Sequence, residues 1–238
     1  MKKLVMSLLS GLAGLALAAQ TPAEDTVKTS PVLLSLQDAL KIAMSENISV
    51  KVAENRLLIT PSGVSKGRMT PEMLLVTDMD GAVIEGDRHP SSEGKMHLEV
   101  YRGRPDVNAV VHAHPPVSTA FAVCRRGLEA PYLSELVVGL GRVPCTPSFA
   151  MLSTGEVPES VRPYLAEHNA LLLANHGALA WGGDLWEAFD RLETVEHTAK
   201  IVLNAQLLGG GVPLTEAEVE RLQGLRGMYQ TLREVRHG

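Results

Sequence analysis

Three histidines and one glutamate are the residues whose types and spacing suit chemistry. His112 and His114 flank Ala113 at the end of the apolar run NAVVHAH. In an extended strand successive side chains point to opposite faces, so these two imidazoles share one face, ~7 Å apart along the strand. Two imidazoles at that separation can converge on one metal ion. A third, His176 in Asn175-His176-Gly177, directly follows the apolar run ALLLA. Glu93 opens a helical stretch upstream, from which it can fold back towards them. Three histidines with one coordination position left open, and a carboxylate nearby, is the composition of a catalytic zinc site. There is also an ordinary reading. Histidines two apart are common, and a strand-end histidine is often a hydrogen-bonded structural residue.

The elements that must hold these residues follow from periodicity and punctuation. Arg56–Thr60 reads as a strand stopped by the turn Pro61-Ser62-Gly63. Met73–Thr77 reads as a second strand, with Asp80-Gly81 as a hairpin turn and Ala82–Ile84 returning. Ser91 or Ser92 can N-cap the helix that carries Glu93, Met96 and Val100, and Pro105 ends it. Strands over Val107–His112, Ala170–Ala174 and Ala178–Trp181 flank the histidines. Helices are expected over Pro116–Cys124, Tyr132–Val138 and Pro158–Glu167. Asp184 caps the longest helix, which runs to about Leu208 with Leu185, Phe189, Leu192, Val195, Ala199 and Val202 as its apolar stripe. Thr215 and Glu218 form a capping box for a last helix. Glu93 and His97 are spaced as an isolated helix pair, usually solvated, and His197 is structural or exposed. Short strands mixed with helices predict an α/β fold, three α/β/α layers around a largely antiparallel or mixed sheet.

A chain of 238 residues with 45% apolar and 21% charged residues has the profile of a soluble globular protein. The net charge of −5, with no basic stripe, argues against a nucleic-acid surface. Two cysteines, Cys124 and Cys145, make neither a disulfide framework nor a CxxC metal site. The N-terminus differs from the rest. Met1-Lys2-Lys3, the apolar run Leu4–Leu17 and the small-x-small Ala16-Leu17-Ala18 have the anatomy of a secretory leader, too short for a spanning helix. Residues 1–30 are therefore read as a leader-like, disordered segment. Residues 31–54 hold an N-terminal helix of doubtful origin, about Leu36 to Ser45, and residues 55–238 form the catalytic domain. Residues 1–54, with LSLQDALKIAMSEN, resemble the leader and start of an outer-membrane efflux channel of the TolC type.

From about Asn47 to Tyr229 three pieces stand together: LLITPSG, HPSSEGKMHLEVYRGRPDVNAVVHAHP and LLLANHGALAWG. On these the chain resembles the class II aldolase/adducin family, in its L-fuculose-1-phosphate aldolase-like branch. The resemblance implies Zn²⁺ held by His112, His114 and His176, with Glu93 as the acid/base residue that also lies at the metal. It implies a substrate phosphate pocket from Asn47, Ser62, Gly63, Ser91 and Ser92. Serine hydroxyls and amides at a helix start suit a phosphate. It further implies a homotetramer in which Tyr132 comes from a neighbouring subunit, with Tyr229 as a proton donor. Where relatives carry Gly-Asn-x-Ser, this chain has Glu46-Asn47-Ile48-Ser49.

The implied activity is reversible cleavage of a ketose 1-phosphate to dihydroxyacetone phosphate and an aldehyde. Epimerase, dehydratase and decarboxylase outcomes use the same three histidines. Glu93, where epimerases tend to carry Asp, favours the aldolase. An adducin-like interaction module without metal is the alternative from another class, and the complete histidine set speaks against it. The expected partner is a small sugar phosphate, with no nucleic acid and no membrane. Sugar phosphates are cytoplasmic metabolites, so a cytoplasmic location is expected despite the leader-like start. Fractionating cells that express the full chain checks this: a periplasmic product shortened at about Ala18 would overturn it.

Overall fold

The computed structural model describes residues 46–225. The leader-like segment, the helix expected over Leu36–Ser45 and Tyr229 lie outside the described residues. Within them the chain runs β1 (Asn47–Ala53), β2 (Arg56–Ile59), β3 (Leu75–Thr77), β4 (Val83–Glu85), α1 (Gly94–Gly103), β5 (Ala109–Ala113), α2 (Pro116–Val123), α3 (Ser134–Gly139), α4 (Glu156–Val161), β6 (Ala170–Leu173), β7 (Gly177–Gly182) and α5 (Leu185–Leu207). The strands form one seven-stranded sheet in the order β4-β3-β2-β1-β5-β7-β6, each neighbouring pair antiparallel. The expected α/β class with its antiparallel sheet is found.

Strands β5, β6 and β7 are buried on both faces, and their period-2 alternation sorts side chains into two cores. Ala109, Val111 and Ala113 of β5, Ala170 and Leu172 of β6, and Ala178 and Ala180 of β7 pack with α2, α3 and α5. Val110, Leu171, Leu173, Leu179 and Trp181 point the other way, against α1 and α4. Each fully buried leucine of this kind contributes roughly 1.5–3 kcal/mol over its exposed state. His112 shares parity with Val110, so its ring lies on the α1 side. The stripe of α5 is buried through Leu185, Leu192, Val195, Ala199 and Val202, and Asp184 caps it by accepting the Glu187 N–H at 2.7 Å.

Several boundaries differ from expectation. The sheet does not begin at residue 55: β1 lies between β2 and β5, with Asn47 opposite His112. Thus Glu46-Asn47-Ile48-Ser49 leads into a central strand. Pro71 starts a 3₁₀ turn, Pro71–Met73, which shortens the strand that follows. The expected Tyr132 helix starts at Ser134, and the Pro158 helix is Glu156–Val161 followed by a 3₁₀ turn around Pro163. Both cysteines are free thiols.

His97 is no solvated partner of Glu93. It is 1% exposed, and its Nδ1 lies 2.9 Å from the Ser49 hydroxyl. Tyr101 Oη–H donates to the Ser49 carbonyl at 2.8 Å, so α1 is tied to β1 by a dry polar cluster. Burial, reinforced by the Lys66 charge, pushes the His97 pKa down to about 3. An unfolded chain takes up this proton below its ordinary pKa of about 6.5, whereas the folded chain does not. Stability is therefore expected to fall as pH drops from about 6.5 to 3, with His97 contributing up to about 1.4 kcal/mol per pH unit. Chemical denaturation across that range should give a slope shallower by one proton in His97→Asn. An unchanged slope would overturn the assignment.

Candidate metal centre and substrate pocket

Two local features bring the three imidazoles together. The first is the end of β5, where His112 is paired across the sheet with Leu179 of β7. Its Nδ1–H donates to the Ala178 carbonyl at 2.9 Å, which leaves the Nε2 lone pair free. His114 follows two residues on, and the chain then enters α2. Glu196 of α5 fixes that entry by accepting from the amides of Val117 and Ser118 and the Ser118 hydroxyl. The second feature is the tight turn between β6 and β7. Asn175 takes a left-handed conformation, φ 57°, which asparagine tolerates better than most residues. Its amide is anchored on the Ala122 carbonyl at 3.1 Å. His176 is thereby turned over the end of β5.

The rings stand 4.7–5.1 Å apart by centroid. His112 Nε2 and His114 Nε2 are 3.1 Å apart, and one ligand atom from each ring lies within 4.8 Å of the others. Zinc–nitrogen bonds of about 2.0–2.1 Å draw tetrahedral nitrogens to roughly 3.3 Å, a small adjustment from here. Gly177 makes room for the cluster. A Cβ there would stand 2.5 Å from the Ala113 carbonyl oxygen and 2.5 Å from His114 Cδ2. Burial pushes all three histidines below their ordinary pKa, most strongly His112, where the neighbouring imidazoles add to it. His176 is brought to about 4 by burial and His114. At neutral pH all three are uncharged, the form that ligates metal. The residues present fit a divalent cation.

Glu93 stands immediately before α1, with its Oε1 3.8 Å from His176 Nε2. Its side chain is 14% exposed. Burial pushes the carboxyl pKa up, and the Lys66 ammonium draws it partly back. The residues expected from the sequence to bind phosphate sit on two loops tied edge to edge. Ser62 N–H donates to the His89 carbonyl at 2.9 Å, and Ser91 N–H to the Thr60 carbonyl at 3.1 Å. Gly63 is left-handed at φ 71°. The Asn47 Oδ1 accepts from the Thr60 hydroxyl at 2.9 Å, which ties β1 to the same loop. The Ser91 hydroxyl accepts the Glu93 N–H at 3.3 Å, but neither serine N-caps α1: the helix starts at Gly94, Glu93 is its N-cap residue, and no side chain caps it.

Tyr132 is not brought to this cluster. It packs half-buried against Gly211 and lines a separate cavity with Phe121, Arg126 and Val202. The sequence reading missed Lys66, whose signal was a cation four residues after Ser62, and Ser49, whose role rests on contacts 48 and 52 residues away.

The family described as Class II Aldolase and Adducin N-terminal domain matches residues 34–203. The chain belongs to this family. A 5-deoxy-D-ribulose 1-phosphate aldolase from Bacillus thuringiensis is 37% identical over 178 residues, 74% of this chain and 82% of that protein. A 3-oxo-tetronate 4-phosphate decarboxylase from Haemophilus influenzae is 36% identical over 183 residues, covering 74% and 85%. The solved structure of an L-fuculose 1-phosphate aldolase superposes with a TM-score of 0.70 at 34% identity, covering 79% of this chain and 89% of that one. The family resemblance read from the sequence is borne out, and the chain is an enzyme of the class II lyase type. Class II aldolases use a divalent metal, and the three histidines here could hold one. Among the described residues no helix is long and apolar enough to cross a membrane.

The close approach at Gly177 gives a direct test. Gly177→Ala must displace the Ala113 carbonyl or the His114 ring, so metal content should fall from about one ion per chain to well under half, measured by elemental analysis of protein purified with zinc. A variant that keeps full metal would show that the cradle is not needed.

Proposed function

We propose that the chain is a zinc-dependent aldolase that reversibly cleaves a ketose 1-phosphate of the L-fuculose-1-phosphate type to dihydroxyacetone phosphate and an aldehyde. The observation that carries this reading is the convergence of three neutral imidazoles with a poorly solvated carboxylate at 3.8 Å from one of them. His112, His114 and His176 hold the cation, with Glu93 at the same centre. When bound, the cation supplies Lewis-acid polarisation of the substrate carbonyl and its neighbouring hydroxyl.

The chain's own residues do the rest. The loops carrying Ser62, Gly63, Ser91 and Ser92, with Asn47 behind them, hold the phosphate and so fix the ketose along one line towards the histidines. As C3–C4 breaks, the C4 hydroxyl loses the proton that Tyr229 returns in synthesis and becomes the aldehyde carbonyl, and an electron pair is left on C3 of the three-carbon fragment. Glu93 delivers a proton to that carbon in cleavage and removes it in synthesis. A carboxyl whose pKa is raised by burial can carry that proton, and a nearby cation keeps it able to release it. In this reading the enzyme works in the cytoplasm as a homotetramer, with Tyr132 reaching a neighbouring subunit's site and Tyr229 serving as a second proton donor. The separation of Tyr132 from its own chain's histidines supports that arrangement.

A decarboxylase is the second reading, favoured by a relative as similar as the aldolases. Losing CO₂ from a 3-oxo acid leaves the same kind of electron pair beside a carbonyl, so the site serves both.

Glu93→Gln separates the chemistry from binding. Zinc content and substrate affinity should stay near wild type while kcat falls by about 10²–10⁴, the usual contribution of a positioned acid/base. Metal-replete wild type given a panel of ketose 1-phosphates should release dihydroxyacetone phosphate, and deuterium exchange at its C3 should slow in the variant. Release of CO₂ from a 3-oxo-tetronate 4-phosphate, with no ketose cleaved, would favour the decarboxylase. Wild-type exchange in Glu93→Gln would remove Glu93 from its role.

A further inference from the structure

We propose that Lys66 is the cation that binds the substrate's phosphate and sets the preference for phosphorylated substrates, an inference that rests on the phosphate pocket of the proposed function. The pocket is short of charge. The amides of Ser62 and Ser91 are already spent on the carbonyls of His89 and Thr60. What remains is the amides of Gly63 and Ser92, the Asn47 side-chain amide and the hydroxyls of Ser62, Ser91 and Ser92, all neutral donors. A phosphate monoester carries nearly two negative charges at neutral pH, and neutral donors alone leave that charge uncompensated.

Lys66 is built into the same loop. It starts the 3₁₀ turn Lys66–Arg68, four residues after Ser62, and folds back so that Nζ donates to the Pro61 carbonyl at 3.4 Å. Pro61 is bridged to Pro90, so the ammonium stands where the Ser62 and Ser91 loops join. An ammonium has three donors, and among the described residues one long bond to a carbonyl is the only hydrogen bond it makes. No carboxylate of the described residues forms an ion pair with it. Yet it is half-buried, so part of its hydration is already lost. Its charge reaches both Glu93 and His97, which puts it on the side of the loop that faces α1. A half-buried ammonium with two spare donors at the junction of the two serine-bearing loops is a site for a tetrahedral oxyanion. On binding, Nζ exchanges the Pro61 carbonyl for a phosphoryl oxygen.

Lys66→Met and Lys66→Arg in the zinc-loaded full chain test this. Inorganic phosphate titrated calorimetrically should bind wild type, bind Lys66→Met about 10- to 100-fold more weakly, and bind Lys66→Arg within a few-fold of wild type. KM for a phosphorylated ketose should rise by the same factor in Lys66→Met, with zinc content near wild type. KM for the unphosphorylated ketose should be alike in the two. Wild-type phosphate affinity in Lys66→Met would overturn the inference. So would a fall in kcat with KM and phosphate affinity unchanged, which would make Lys66 a partner of Glu93. The phosphate titration needs no turnover. Failure of the aldol reading with Lys66-dependent phosphate binding intact would therefore leave this inference standing.

Discussion

The site depends on one close approach between strands. At the end of the β5–β7 ladder, Gly177 lies so near the Ala113 carbonyl and the His114 ring that no side chain fits between them. That missing Cβ lets His176, delivered by a three-residue turn, stand over two imidazoles delivered by β5. Everything else at the centre follows from holding this junction still. The Asn175 amide is pinned to the end of α2, Glu196 of α5 clamps the start of α2, and His112 is locked by the Ala178 carbonyl. Three rings at about 5 Å are crowded for free side chains and suitable for ligands that share one ion.

Burial then tunes what the junction can do. Removing water disfavours every charged form, so the histidines lose their protons and Glu93 gains affinity for one. These shifts act in the same chemical direction. Neutral imidazoles ligate metal, and a carboxyl of raised pKa is suited to proton exchange at carbon. Lys66 opposes the shift at Glu93 from the loop that follows Ser62. Beneath them the Ser49–His97–Tyr101 cluster ties α1 to β1, and through α1 it holds Glu93 in place.

Much of the fold was legible because the relevant signals are local. The alternation of Val110, Val111 and His112, the apolar run before Asn175-His176-Gly177, and Asp184 followed by Glu187 each specify an element within a few residues. The hairpin at Asp80-Gly81 and the capping box at Thr215 are of the same kind, and both are found. Where the sequence reading went astray, a distant contact decides. β1 falls in the stretch 31–54 that the sequence reading set outside the domain, yet it is central because β2 and β5 pair with it on both edges. Glu93 and His97 have the spacing of a solvated pair, but His97 is drawn inward by Ser49, 48 residues away.

The sequence by itself determined the ligand types, the strand parity that puts His112 and His114 on one face, and the family to which they belong. Backbone periodicity and turn chemistry act over a few residues, so they are written in the order of the letters. Only the tertiary structure decided that His176 meets those two, that burial raises the Glu93 pKa, and that Lys66 lies where the serine loops join. Convergence and desolvation are properties of space filled by residues far apart in the chain, and no local pattern encodes them.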